Sequence, residues 1–313
     1  MDELADARAA ALAEGYLETM RIERSVSPNT LRAYRNDILD YLRWAERNGV
    51  DALATTHRQL RLYLGELDRA QYSRTTINRK MSSLRGYFGW MCATGAIPED
   101  PAGVLQGPKR PKTLPHTIKP ADMAKILTIH SAKDLSGNSR EQSPSDMRDQ
   151  ALLELLYACG ARISEASGLL MINVDLENLQ VKLFGKGSKE RIVPIHELAA
   201  SSMSRYFHFG RPKLLDGKQS EYFFVSTRGN QMKTDAMRKM FKATLRAAGV
   251  DETLSPHAMR HTFATDLLGG GADLRSVQEM LGHSNLSTTQ IYTHLSPDRL
   301  KEVHGQSHPR SGR

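Results

Sequence analysis

Residues 107–115 read GPKRPKTLP. Three prolines and a glycine in so short a stretch remove backbone donors and break any regular φ/ψ pattern. Neither a helix nor a strand can run through it, so the chain must fold as two bodies joined by this linker. The length of 313 residues agrees, since it corresponds to about two domains. The expected division is a small helical domain over 1–106, the linker 107–115 and a larger domain over 116–313.

The first body reads as helix throughout. In SPNTLRAYRNDILDYLRWAERNG, Ser27 is a natural N-cap and Pro28 occupies the first helical position. Leu31, Tyr34, Ile38, Leu42 and Ala45 follow at steps of three and four, and Asn48-Gly49 ends the run. In SRTTINRKMSSLRGYFGWMCATG, the residues Ile77, Met81, Leu84, Phe88 and Met91 mark a buried face. Arg74, Arg79, Lys80 and Arg85 lie largely off that face. Net charge is +8 and the isoelectric point about 9.4, a balance that suits a polyanionic partner, nucleic acid first. In that setting the four cations are expected to contact phosphate.

The second body changes period. SAKDLSGNSREQSPSD (131–146) is polar and serine-rich, a surface loop, and DMRDQALLELLYACG after it is helical. LQVKLF and RIVPI are short apolar runs around the turn-rich GKGSKE, which predicts a β-hairpin. EYFFVS is a third strand candidate, and helix resumes from about Met232. The class is mainly α with a small antiparallel sheet, in two domains. No apolar run approaches the roughly 20 residues of a membrane helix. The N-terminal MDELADARAA carries acids and lacks the apolar core of a secretory signal. Cys92 and Cys159 lie in apolar segments without paired spacing and read as core residues of a protein in the reducing cytoplasm.

Several stretches carry chemistry. In LSPHAMRHTFATDLL, Ser255 and Pro256 open a helix, and His257 and Arg260 share one face. His257 falls in the first turn, where free N–H groups favour an anion. His257 and His261 have zinc-ligand spacing, but Ala258 stands where a metalloprotease helix needs Glu, so no metal is expected. Arg162 follows Gly160 amid apolar neighbours; it either pairs locally with Glu165 or meets a fixed anion. GKGSKER (185–191) fails as a phosphate loop because Gly187 replaces the required Ser or Thr. As a hairpin tip it presents Lys186 and Lys189, either to solvent or to a DNA groove. GADLRSVQEMLGH forms a helix that ends at Gly282, with His283 just beyond. Ser287-Thr-Thr-Gln290 is a capping box, which puts Tyr292 in the second turn of a short helix. Its neighbours Thr288, Thr289, Gln290, Thr293 and His294 are polar, which suits a nucleophile better than a core tyrosine.

R-x-S-E at 162–165, the GKGSKER hairpin, H-x-x-R-H at 257–261 and LGHSNLSTTQIYTH at 281–294 occur in order. Together they resemble the tyrosine recombinase family, most closely its Xer branch. The resemblance covers almost the whole second body, and the first fits the family's core-binding domain more loosely. It implies that Arg162 and Arg260 grip the scissile phosphate and that His257 is a general acid/base. It implies Lys186 as general acid, His283 as a donor to a phosphate oxygen and Tyr292 as nucleophile. Ala161 and Ala166 depart from the leucines common around the first arginine, and the 131–146 loop is longer than usual.

Two arginines and two imidazoles stabilise the charge of a phosphoryl transition state without metal. The family therefore implies strand exchange through a 3′-phosphotyrosyl ester with no cofactor and no ATP. It also implies double-stranded DNA as substrate, a homo- or hetero-tetramer with a second recombinase, chromosome dimer resolution at a dif-like site and a septal DNA translocase as partner. A mobile-element integrase shares all six residues, but its usual arm-binding domain is not expected here. A type IB topoisomerase shares the chemistry as a monomer. A non-catalytic DNA-binding regulator would not need Lys186, His283 and Tyr292 together. Finally, Ser296-Pro297 opens a last helix with Leu300 and Val303 on one side. That apolar side must dock somewhere; on physics alone its own domain serves as well as any other surface, whereas the resemblance implies a neighbouring protomer.

Overall fold

The structure, a computed structural model, describes residues 3–23, 26–108, 117–185, 190–282 and 296–311. The chain divides into two compact units, Met1–Thr113 and Leu114–Arg313.

Among the described residues the first unit contains four helices: α1 (Glu3–Glu23), α2 (Pro28–Arg47), α3 (His57–Arg69) and α4 (Arg74–Ala93). The Ser27 hydroxyl accepts from the Thr30 N–H and fixes the start of α2; Gly49, at φ +64°, turns the chain away after it. Thr56 and Gln59 form a reciprocal capping box at α3. On α4 all five residues of the expected face are buried. On α2, Ile38 and Ala45 are buried and Leu31, Tyr34 and Leu42 half-buried, but Asp37, Tyr41 and Trp44 are buried as well. The wider stripe follows from position, since α2 packs against both α1 and α4.

That packing corrects the expectation for Lys80. It is 2% exposed, and its ammonium sits 2.5 Å from Asp40 Oδ2 and 3.5 Å from Asp37 Oδ1, both carboxylates of α2. A buried ammonium with two carboxylate partners holds two helices together and is not presented to phosphate. Arg79 also pairs with Asp37, though 41% of its side chain stays exposed. Arg74 is exposed and Arg85 half-buried.

The second unit runs α5 (Pro120–Thr128), α6 (Pro144–Cys159), α7 (Ile163–Ser167), β1 (Val174–Asp175), β2 (Gln180–Phe184), β3 (Glu190–Pro194), α8 (Glu197–Arg205), a π-helical turn (Tyr206–Gly210), α9 (Arg211–Leu215), α10 (Thr234–Ala247), α11 (Pro256–Gly269), α12 (Leu274–Leu281) and α13 (Pro297–Ser307). α6 is its axis: every residue from Arg148 to Cys159 is buried. Burial pushes the Cys159 thiol up to about 12, so it is an inert core group. The polar loop ends earlier than expected, because Ser143 and Asp146 form a capping box that starts α6 at Pro144.

β1, β2 and β3 form an antiparallel sheet in sequence order, with Val181 opposite Val193 and Lys182 opposite Ile192. The hairpin is where the apolar runs put it. EYFFVS, in contrast, is not a strand of this sheet. Tyr222 and Val225 make isolated bridges to Leu170 and Gln231, and Phe223, Phe224 and Val225 fill the core as irregular chain. The third strand is Val174–Asp175.

α13 docks on its own unit rather than waiting for a neighbour. Leu300 and Val303 are buried, His304 Nε2 lies 2.7 Å from the Ala158 carbonyl and His308 Nε2 lies 3.2 Å from that of Tyr157. Arg310 reaches Glu154 at 2.9 Å. The tail thus satisfies polar groups at the end of the axial helix that burial would otherwise leave costly.

Candidate active site

Three of the six candidate catalytic residues are described. Arg162 sits just past the end of α6, where Gly160 reverses the chain at φ 57°, ψ 29°. A side chain at 160 is excluded twice: the backbone is left-handed, and a Cβ would stand 2.5 Å from Phe263 Cδ1. Arg162 is then the N-cap residue of α7. Its backbone N–H donates to Glu165 Oε2 and its Nη1 to Glu165 Oε1, at 2.8 and 2.7 Å. The local ion pair therefore exists, and 35% of the Arg162 side chain still faces solvent.

Arg260 projects from α11 and is buried. It donates to the Gly160 carbonyl at 2.6 Å and to the Leu281 carbonyl, tying the end of α6 to the end of α12. Burial, and then the positive charges of Arg162 and Arg191, lower its pKa to about 10. A guanidinium held against two others is a site built for an anion.

His257 lies on the first turn of the same helix. The N-cap Ser255 makes no side-chain cap bond among the described residues; Pro256 has no N–H and Ala258 donates to the Ser255 carbonyl at 2.8 Å, which leaves the His257 N–H at the helix start. His257 is exposed as a residue, but partial desolvation of its ring, with Arg260, His261, Arg162 and Arg238, lowers its pKa. The imidazole is accordingly neutral at physiological pH and able to take a proton.

Sequence reasoning missed Arg191. It stands on β3, where Val193 and Ile195 alternate inward with it. Its Nη1 and Nη2 reach Glu165 Oε1 and Oε2 at 2.9 and 2.8 Å, and its Nε donates to the Met280 carbonyl at 2.8 Å. Gly282 ends α12 at φ +63°, and a Cβ there would meet Arg191 Nη1 at 3.1 Å. Burial alone would raise the Glu165 pKa, but the hydrogen bonds and charge of Arg191, then the bonds from Arg162, hold it below the usual range. An arginine on the inward side of a strand was the available signal. Lys186, Lys189, His283 and Tyr292 lie outside the described residues, as does the capping box at Ser287.

Comparison with known proteins covers both units. The phage integrase family matches residues 125–299, and the N-terminal SAM-like domain of phage integrases matches residues 13–95. Tyrosine recombinase XerD of Proteus mirabilis is 39% identical over 298 residues, 95% of this chain and 92% of that protein. Tyrosine recombinase XerD of Vibrio cholerae serotype O1 is 40% identical over 96% of this chain and 97% of its own length. Among solved structures, XerH site-specific recombinase bound to palindromic difH substrate superposes with a TM-score of 0.68 at 20% identity, covering 94% of this chain and 84% of that one. A lambda integrase dimer bound to a COC′ core site gives 0.64 at 16%, covering 91% and 98%. These two share the fold.

Proposed function

Because the chain belongs to the phage integrase family, the tyrosine site-specific recombinases, we propose that it exchanges DNA strands by metal-free transesterification, resolving chromosome dimers at a dif-like site. The observation that carries this is the arginine cluster: Arg162 and Arg191 share the Glu165 carboxylate, Arg260 lies close enough for their charges to lower its pKa, and an imidazole of lowered pKa stands beside them.

The phenol oxygen of Tyr292 attacks the scissile phosphorus, and the bond from phosphorus to the 5′-oxygen breaks. The phenol, with an ordinary pKa of about 10, gives its proton to His257 as it attacks. Lys186 protonates the departing 5′-oxygen. Arg162, Arg260 and His283 stabilise the charge that builds on the non-bridging oxygens. The product is a 3′-phosphotyrosyl ester, so one phosphodiester bond has been exchanged for another of similar energy. A 5′-hydroxyl from the second duplex reverses the step, and no ATP enters. The substrate is double-stranded DNA, held as two half-sites by a tetramer that includes this chain alone or with a second recombinase. A septal DNA translocase is the expected regulator. The relatives of about 40% identity, named for the Xer system, support this reading over the integrase one.

To test it, the protein is incubated with nicked genomic fragments, and the covalently trapped DNA is sequenced. Reads are expected to converge on one chromosomal locus with two half-sites in inverted arrangement. Convergence on the ends of a mobile element would replace dimer resolution with integration. Reads with no recurrent site would contradict site-specific exchange.

A further inference from the structure

The proposed reaction gives no task to Arg191, yet among the described residues its guanidinium makes three hydrogen bonds, against two for Arg260 and one for Arg162. Only 11% of its side chain is exposed, against 35% for Arg162. Its three bonds join three separate parts of the site: β3, which begins just after residues 186–189 in the sequence; α7, through Glu165; and the last turn of α12, through Met280, three residues before His283 in the sequence.

The Glu165 carboxylate is almost fully buried and, among the described residues, receives four donors. Arg162 Nη1 and Arg191 Nη1 share Oε1, while the Arg162 backbone N–H and Arg191 Nη2 share Oε2. An ionised carboxylate offers about four acceptor sites, so it is saturated. Arg162 therefore makes a single guanidinium bond to it, where an arginine facing a free carboxylate would close a bidentate pair. Such a pair would neutralise the guanidinium and turn its fork away from any other anion.

We propose that Arg191 is a positioning residue for phosphoryl transfer: by occupying Glu165, it keeps the Arg162 guanidinium charged and open to the scissile phosphate, and by its bond to Met280 it fixes the end of α12. The proposal rests on the phosphate-gripping role of Arg162. Without Arg191, one guanidinium is lost and Glu165 captures a second, so the positive charge facing the phosphate falls sharply while DNA contacts elsewhere persist.

The test compares wild type, Arg191→Met and Arg191→Lys on nicked duplexes of the trapped sequence. One duplex carries a normal phosphodiester at the scissile position. The other carries a methylphosphonate, which has one negative charge fewer and so needs less cationic stabilisation. The rate of covalent protein–DNA formation is read on denaturing gels, with half-site affinity and melting temperature measured alongside. Arg191→Met is expected to slow cleavage of the phosphodiester about 10- to 100-fold, the size of effect seen when a residue orienting a charged active-site ligand is removed. Its defect on the methylphosphonate is expected to shrink to about threefold or less, with half-site affinity unchanged within about threefold. Arg191→Lys, which keeps the charge but cannot hold both oxygens with a fork, is expected between the two. Equal defects on both substrates, in Arg191→Met or, if that variant does not fold, in Arg191→Lys, would make Arg191 a structural residue and overturn the proposal. Absence of covalent product with wild type would overturn the catalytic reading and this inference together; product from wild type with no defect in either variant would overturn this inference alone.

Discussion

The tail anchored on α6 sets an acid limit on stability. His196, His304 and His308 cluster in the core, His304 stacked on His308 with ring centroids 4.8 Å apart and His196 tilted against His308 at 4.9 Å. Burial first, and then mutual repulsion and Arg310 for two of them, lowers their pKa values to about 3, 4 and 2. Glu154 beside them is raised to about 7 by burial, against the pull of Arg310. The 3.9 Å approach of His196 to Glu154 is therefore no ion pair at neutral pH, because the imidazole is neutral. On acidification the unfolded chain protonates three histidines near their ordinary pKa of about 6.5, while the folded chain protonates none above pH 5. Stability from the three is full above pH 6.5 and is lost below it. Glu154 acts in the opposite sense, since the folded state takes its proton first. From pH 7.5 to 5.5 the histidines cost about 4 kcal/mol and Glu154 returns about 2, so about 2 kcal/mol is lost. For a unit of this size that is roughly 4–8 °C in melting temperature. His308→Gln removes one of the three and is expected to lessen the drop by about 1.4 kcal/mol. Thermal scans of both proteins across pH 5.5–7.5 measure the two slopes. A wild-type melting temperature that does not fall, or a variant with the same slope, would refute the reasoning.

Lys80→Met leaves Asp37 and Asp40 of α2 without their ammonium and is expected to cost at least about 3 kcal/mol; a thermal scan reads this, and an unchanged melting temperature with weakened DNA binding would return Lys80 to the phosphate-contacting set. Gly160→Ala forces a methyl into left-handed backbone 2.5 Å from Phe263 and is expected to cost about 2–5 kcal/mol, measured by urea unfolding; a loss below about 0.5 kcal/mol would contradict the packing described. Lys186→Ala is expected to cleave normal DNA poorly but to recover on a substrate with sulfur at the bridging 5′ position, whose thiolate leaves without a proton. Equal defects on both substrates would make Lys186 a DNA-positioning residue and not the acid.

What was legible in the sequence followed the range of the interactions. The buried face of α4 was visible because Ile77, Met81, Leu84, Phe88 and Met91 recur at the helical period. The hairpin was visible because two apolar runs flank a turn. EYFFVS misled because a short apolar run looks the same whether it pairs in a sheet or fills a core irregularly. Lys80 misled because its partners lie on another helix, 40 residues away for Asp40, and no local pattern announces them. The same distance left the docking of α13 open between its own domain and a neighbour, since its Arg310 bond to Glu154 spans 156 residues. In the site, ordered motifs named Arg162, His257 and Arg260, and the structure places all three around the ends of α6 and α11. Arg191 escaped because its partners come from α7 and α12, elements far apart in the chain.

The most direct measurement of the central claim is on Tyr292. Wild type and Tyr292→Phe, which differ by one hydroxyl, are incubated with a nicked duplex of the trapped sequence, and the products are digested and read by mass spectrometry. A peptide of the wild type is expected to carry a nucleotide through a phosphodiester to Tyr292, insensitive to EDTA, with no adduct in the variant although it still binds the DNA. An adduct on any other residue, or one that persists in Tyr292→Phe, would contradict the claim.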